Sequence, residues 1–165
     1  HKANGDLRGQ KADIWDGGHR EPFIVRWPDQ VAAGSTSHQL VCLGDLMATC
    51  AAILGVDLPD GAGPDSFDIL PILRGREQAV RDSLVHHSWD GMFSVRHGAW
   101  KLIEGLGSGG FTEPVRIDAR PEGPTGQLYN IPEDIAEQDN LWLAYPEIVV
   151  ELNRVLAAII EKPGA

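Results

Sequence analysis

The sequence predicts an α/β chain in two parts: the end of a larger α/β unit, then a small antiparallel sheet packed on a C-terminal helix. Three observations carry this. Residues 22–27 form a nearly continuous apolar run bounded by prolines, which suits a strand covered on both faces. Residues 92–96 and 99–104, with Phe93, Val95, Trp100, Leu102 and Ile103, flank His97-Gly98 as the arms of a hairpin would. From Pro146 onward, Ile148, Leu152, Val155, Leu156, Ile159 and Ile160 fall on one helical stripe. The expected division is 1–81, the end of the larger α/β unit, and 82–165, the small α+β unit.

Taken in order, Asn4-Gly5 reads as a turn, and Gly9, Gly17 and Gly18 keep the opening segment loop-like. The first regular element expected is therefore the strand at 22–27. A buried strand needs neighbours, and the first half offers no clear partner, so the neighbours are expected in upstream sequence. After a loop at 29–37, Leu46, Met47, Cys50, Ala51 and Leu54 recur at spacings of three and four, predicting a helix over 43–54. Asp45 near its start suits the helix dipole, and Gly55 suits a left-handed terminus. A Pro/Gly/Asp-rich loop at 57–65 leads to a short helical turn at 66–73, stopped by Gly75. The charged stretch 74–81 reads as a linker. Residues 83–89 and 127–131 read as strands, with Gly/Ser-rich and Pro/Gly-rich loops at 105–112 and 118–125.

Composition sets limits. A chain of 165 residues with 42% hydrophobic and 23% charged residues can bury a core. A net charge of -10 argues against general affinity for nucleic acid or anionic membrane, which need clustered Lys and Arg. No apolar run is long enough to span a bilayer, and the first residues lack the apolar core of a signal peptide. Cys42 and Cys50 lie in one helical pattern roughly 12 Å apart along the axis, too far for a disulfide. They are expected to be free, buried thiols.

The stretch Leu7-Arg8-Gly9-Gln10-Lys11, followed by Gly17-Gly18-His19-Arg20-Glu21-Pro22-Phe23 and by Trp27-Pro28, resembles the signature of the type I sulfatases. Further matches are Asp45-Leu46-Met47-Ala48-Thr49, Asp68-Ile69-Leu70-Pro71-Ile72-Leu73, His87-Ser88-Trp89-Asp90-Gly91, Trp100-Lys101-Leu102, Gly107-Ser108-Gly109-Gly110 and Gln127-Leu128-Tyr129-Asn130. The resemblance implies an alkaline phosphatase-like sulfatase fold, with this chain as its C-terminal fragment. It implies hydrolysis of sulfate esters of aryl or carbohydrate substrates, with Lys11 gripping the sulfate. The implied cofactors are Ca2+ and a formylglycine nucleophile, whose residues are expected upstream, leaving this chain without metal ligands and inactive alone. By the same resemblance the whole protein is periplasmic or secreted, and the chain packs against its own N-terminal part.

The chemistry suits a lysine. Cleaving a sulfate ester moves negative charge onto oxygens around sulfur, which a compact cation stabilises. His87 is expected to line the substrate pocket, and His19 is a weaker candidate for substrate contact. His86 and His87, adjacent on a strand, must point to opposite faces. Arg20 is expected to be a structural ion-pair partner. Glu133, Asp134, Glu137 and Asp139 lack calcium-loop spacing and read as solvated surface. The loop 107–110 reads as a mobile connection. Neither Cys42 nor Cys50 heads a C-x-P/A-x-R segment, so neither can mature to formylglycine. Two other readings stay open: a phosphonate or phosphodiester hydrolase of the alkaline phosphatase superfamily, and a non-catalytic binding module. The upstream nucleophile would separate them.

Overall fold

The structure is a computed structural model that describes residues 3–161. They form two compact units, one of residues 3–21 with 85–161 and the other of residues 22–84. The opening segment, which the division at residue 81 grouped with the first part, thus packs with the sheet.

The first unit is organised by a four-stranded antiparallel sheet in the order β1 (Ser83–His87), β2 (Phe93–His97), β3 (Trp100–Ile103), β4 (Gln127–Asn130). Register assigns each side chain to a face, because directly paired residues share one. Val95 pairs with Leu102 and Leu102 with Leu128. Onto this face α4 (Pro146–Ile160) lays Val149, Leu152 and Leu156. Each of these leucines, fully buried, contributes about 1.5–3 kcal/mol. Lys101 pairs with Tyr129 and Ile103 with Gln127, so these four share the opposite face. There Ile14 and Trp15 join Ile103, Tyr129, Met92 and Ile131 in a second core. The opening segment is therefore a lid on the sheet's second face.

The first regular element is not the expected strand but the short α1 (Asp16–His19). Gly17 and Gly18 are inside it because a Cβ at either would collide with backbone: Arg8 and Gly9 carbonyls for Gly17, the Asp13 carbonyl for Gly18. They permit close approach, not looseness.

In the second unit, a 3-10 turn (Leu43–Asp45) leads into α2 (Leu46–Leu54), closed by Gly55 at φ 64. The expected helix stands, but Asp45 is fully buried, accepting from the Cys42 and Phe67 amides and pairing with Arg81. Arg81, expected in a solvated linker, is thereby tied down. The helical turn is shorter than expected, α3 (Leu70–Leu73). Residues 22–27 form no strand, and Ile24 is 89% exposed. Their apolar pattern is real, but a strand exists only where a neighbour completes its hydrogen bonds. Cys42 and Cys50 are free; Cys50 is exposed, against the expectation of burial, because it lies on a face of α2 that nothing in its unit covers.

Candidate active-site segment

Lys11 stands exposed on a turn, without an ion-pair partner among the described residues. The backbone beneath it is held tightly. Ala12 adopts φ 83, a conformation that costs a non-glycine residue energy and persists only when its surroundings impose it. Its carbonyl accepts from the Trp89 amide at 2.9 Å. Asp13 is fully buried, and its carboxylate accepts from the Gln10 amide (2.9 Å), the Phe111 amide (2.7 Å), the Thr112 amide (3.0 Å) and Thr112 Oγ1 (2.5 Å). A carboxylate with four donors is well satisfied, so one side chain pins the Lys11 turn to the 107–112 loop. Gly110 fits against Ala12 because a Cβ would strike the Ala12 carbonyl. Residues 107–110 are buried, so the expected mobile connection is a packed wall.

Behind the turn lies a buried charge network. Lys101, fully buried, bonds Asp16 Oδ1 at 2.8 Å and sits 2.8 Å from Glu137 Oε1, an ion pair by distance without a hydrogen bond's geometry. Glu137 Oε2 accepts from the Asp16 amide at 2.6 Å. Burial raises the Glu137 carboxyl above its ordinary value; the neighbouring Asp16 charge adds to that, and Lys101 opposes it. For Asp16 burial pushes upward too, yet Lys101's charge and hydrogen bond prevail and hold it below the usual range. Glu137 corrects the reading of its acidic stretch as solvated surface: it is inside, because it meets the lysine. Arg8 stacks on Trp15 at 3.6 Å from the ring centroid and donates to the Glu137 carbonyl and the Tyr129 hydroxyl. Burial pushes Tyr129 up to about 12. Gln127 accepts from Trp15 Nε1 and Tyr129 and donates to two loop carbonyls.

His19 meets His86, with ring centroids 4.1 Å apart. His86 Nε2 lies 3.2 Å from the Ile14 carbonyl, while His19 Nε2 is buried without a partner among the described residues. Burial first, then the nearby Lys101 ammonium, lowers both rings, His86 to about 3. Both are neutral at physiological pH. His87, next along β1, is exposed, its Nδ1 beside the Ser88 carbonyl and its ring 5.9 Å from Phe93, and it acts on His19 only as a weak charge influence. Asp13 and His19 thus lie on the segment that carries Lys11, His86 meets that segment from β1, and His87 follows it on the strand as an exposed residue. Arg20 is exposed and forms no ion pair with a described residue.

The described residues contain no group of three or more His, Cys, Asp or Glu disposed to hold a metal ion. The buried carboxylates also do not fit calcium, since Asp13 is taken up by N–H and O–H donors, and Asp16 and Glu137 by Lys101. Sequence reasoning gave Asp13, Asp16 and Lys101 no role and placed Glu137 on the surface. The available signal was the polar residue at each apolar element: a lysine between Trp100 and Leu102, and aspartates flanking Ile14-Trp15.

An antiparallel sheet carries a helix on one face and a glycine-packed, Lys-bearing segment on the other, and sulfatase homologues cover a chain of this architecture. Among them, N-acetylgalactosamine-6-O-sulfatase of Bacteroides thetaiotaomicron is 31% identical over 159 residues, covering 96% of this chain and 31% of the relative. Human arylsulfatase A is 38% identical over 103 residues, 59% of this chain and 20% of the relative. A solved Bacteroides thetaiotaomicron sulfatase, described under metabolism of multiple glycosaminoglycans, superposes with a TM-score of 0.79 at 30% identity, over 94% of this chain and 32% of that one. The chain belongs to the sulfatases and is consistent with a type I sulfatase's carboxyl-terminal portion. It spans about a third of the length of the B. thetaiotaomicron relative. No protein-family model matches it.

Proposed function

We propose that the protein containing this chain hydrolyses sulfate esters, and that Lys11 contacts the sulfate. The observation that supports this most is an exposed, unpaired cation on a turn whose backbone is locked by Asp13, Thr112 and Trp89. A fixed charge needs little reorganisation when an oxyanion develops, which is what makes such a group effective. Lys11 binds and orients the sulfate and offsets its growing charge. Asp13 keeps the turn in place, and the neutral His19–His86 pair packs against it without adding charge.

Residues 1–81 are the end of the catalytic α/β domain and residues 82–165 the small subdomain, whichever way their chain segments pack. Calcium and formylglycine come from residues outside this chain, so the fragment alone is inactive. The exposed run at 22–27 joins strands of the N-terminal part of the same protein. The substrate is a sulfated small molecule or glycan. The protein works in the periplasm or outside the cell; no helix among the described residues is long and apolar enough to cross a membrane.

In the full-length polypeptide, Lys11→Ala should lower kcat/KM for a sulfate ester by about 100-fold or more, the scale of losing one oxyanion-stabilising group. Circular dichroism should stay unchanged. An unaltered kcat/KM would overturn the assignment.

A further inference from the structure

Two aromatic rings flank the Lys11 turn and lie open to solvent. Trp89 is 75% exposed and Phe111 57% exposed, with centroids 6.0 Å apart and planes tilted by 51°. Large aromatic side chains are costly to leave in water, and a paired, exposed set marks a binding surface. Both are anchored through their backbone to the Lys11 turn: the Trp89 amide binds the Ala12 carbonyl, and the Phe111 amide binds Asp13. Their main chains are fixed as firmly as that of Lys11. Gly109 fits beneath them because a Cβ there would strike Ser88 and Asp90.

The surroundings are polar. Asp90 accepts from Ser88 Oγ at 2.7 Å and from Arg116 Nε at 2.5 Å, and the Arg116 side chain is 59% exposed. Gln10 Nε2 donates to Thr112 Oγ1 at 3.4 Å, also at the exposed surface. Flat rings interleaved with hydroxyl, amide and guanidinium groups suit a ligand that is apolar on one face and polar round its edge. A pyranose ring has that character; a flat aryl group has no use for the polar rim. From this we infer that Trp89 and Phe111 are the stacking subsite for the sugar ring of a sulfated saccharide whose sulfate Lys11 holds. The inference rests on the proposed sulfatase reading and adds the substrate class and the residues that select it. Trp89 is a specificity residue, touching the ring and not the reacting atoms.

The test uses the full-length polypeptide with a sulfated N-acetylhexosamine, an aryl sulfate and a ringless alkyl sulfate. Trp89→Ala should raise KM for the saccharide about three- to tenfold, the scale of one lost ring contact. Because the backbone amide that holds the Lys11 turn is retained, kcat for the saccharide should change by less than its KM does, and kcat/KM for the alkyl sulfate should fall by less than that for the saccharide. Trp89→Phe should keep most of the affinity while abolishing a saccharide-dependent change in tryptophan fluorescence. The subsite is overturned if Trp89→Ala leaves the saccharide KM unchanged, if it depresses all three substrates alike, or if only the aryl sulfate responds. Should the unmutated polypeptide hydrolyse none of the three, the sulfatase reading falls, while the fluorescence titration with the unsulfated sugar still decides the subsite by its presence or absence.

Discussion

The two units of this chain solve opposite problems. In residues 3–21 with 85–161, buried polar groups are knit into a network: Asp13 takes four donors, Lys101 meets two carboxylates, and Gln127 bonds in four directions. His19 Nε2 and Asn130 Oδ1 stay without a hydrogen-bond partner among the described residues. In residues 22–84 apolar groups stay in water, with Ile24 89%, Leu54 74% and Leu43 64% exposed. The first unit has two apolar cores and a polar network; the second has a smaller core around Ile69 and Thr49, and both leave large apolar side chains exposed. The contrast teaches that the Lys11 turn is specified by a dense set of polar contacts from this chain's own residues, whereas the 22–84 unit rests on a small apolar core and the Asp45–Arg81 pair.

The largest test of that contrast is Lys101→Met. Removing the ammonium leaves Asp16 and Glu137 buried together without compensation, which should cost about 3–5 kcal/mol of stability in urea denaturation. A midpoint close to that of the unmutated chain would show that the network is not closed.

A smaller effect follows from His86. Its folded value of about 3 lies below the ordinary 6.5, so the unfolded state binds the proton more readily. The contribution of the neutral ring is complete above about 6.5 and is lost progressively as pH falls toward about 3. Urea midpoints should therefore drop on acidification through pH 6 to 4, and His86→Gln should flatten that slope. Equal slopes in both proteins would remove His86 from the account.

The smallest effect belongs to the other unit. Leu54→Ala, at an exposed position, should change the stability of the chain by no more than about 0.5 kcal/mol. A larger loss would mean that α2 is already covered and that the two units are less different than described.

The sequence made some of this legible and hid the rest for physical reasons. The α4 stripe was readable because helical spacing records which face is buried, although Val149 took the place that Ile160, 47% exposed, was expected to fill. The hairpin about His97-Gly98 was readable from local turn chemistry. The run at 22–27 looked like a strand because apolar pattern reports what could be covered, not what is. The pairing of Lys101 with Glu137, a residue read from sequence as solvated surface, was hidden because a buried ion pair between distant residues leaves no period in either neighbourhood. Lys11 was recognised by resemblance, but Asp13, two residues on, was not, although it holds the turn.

Gly17, Gly18 and Gly110 bring main chain against main chain around Lys11. Such contacts read no side chain on the opposite segment. The Lys11 turn is thus insulated from change at exposed side chains nearby: substitutions at Trp89, Phe111 or Arg116 leave these main-chain contacts in place. A scaffold with that separation can vary its exposed side chains while keeping the backbone of this turn unchanged.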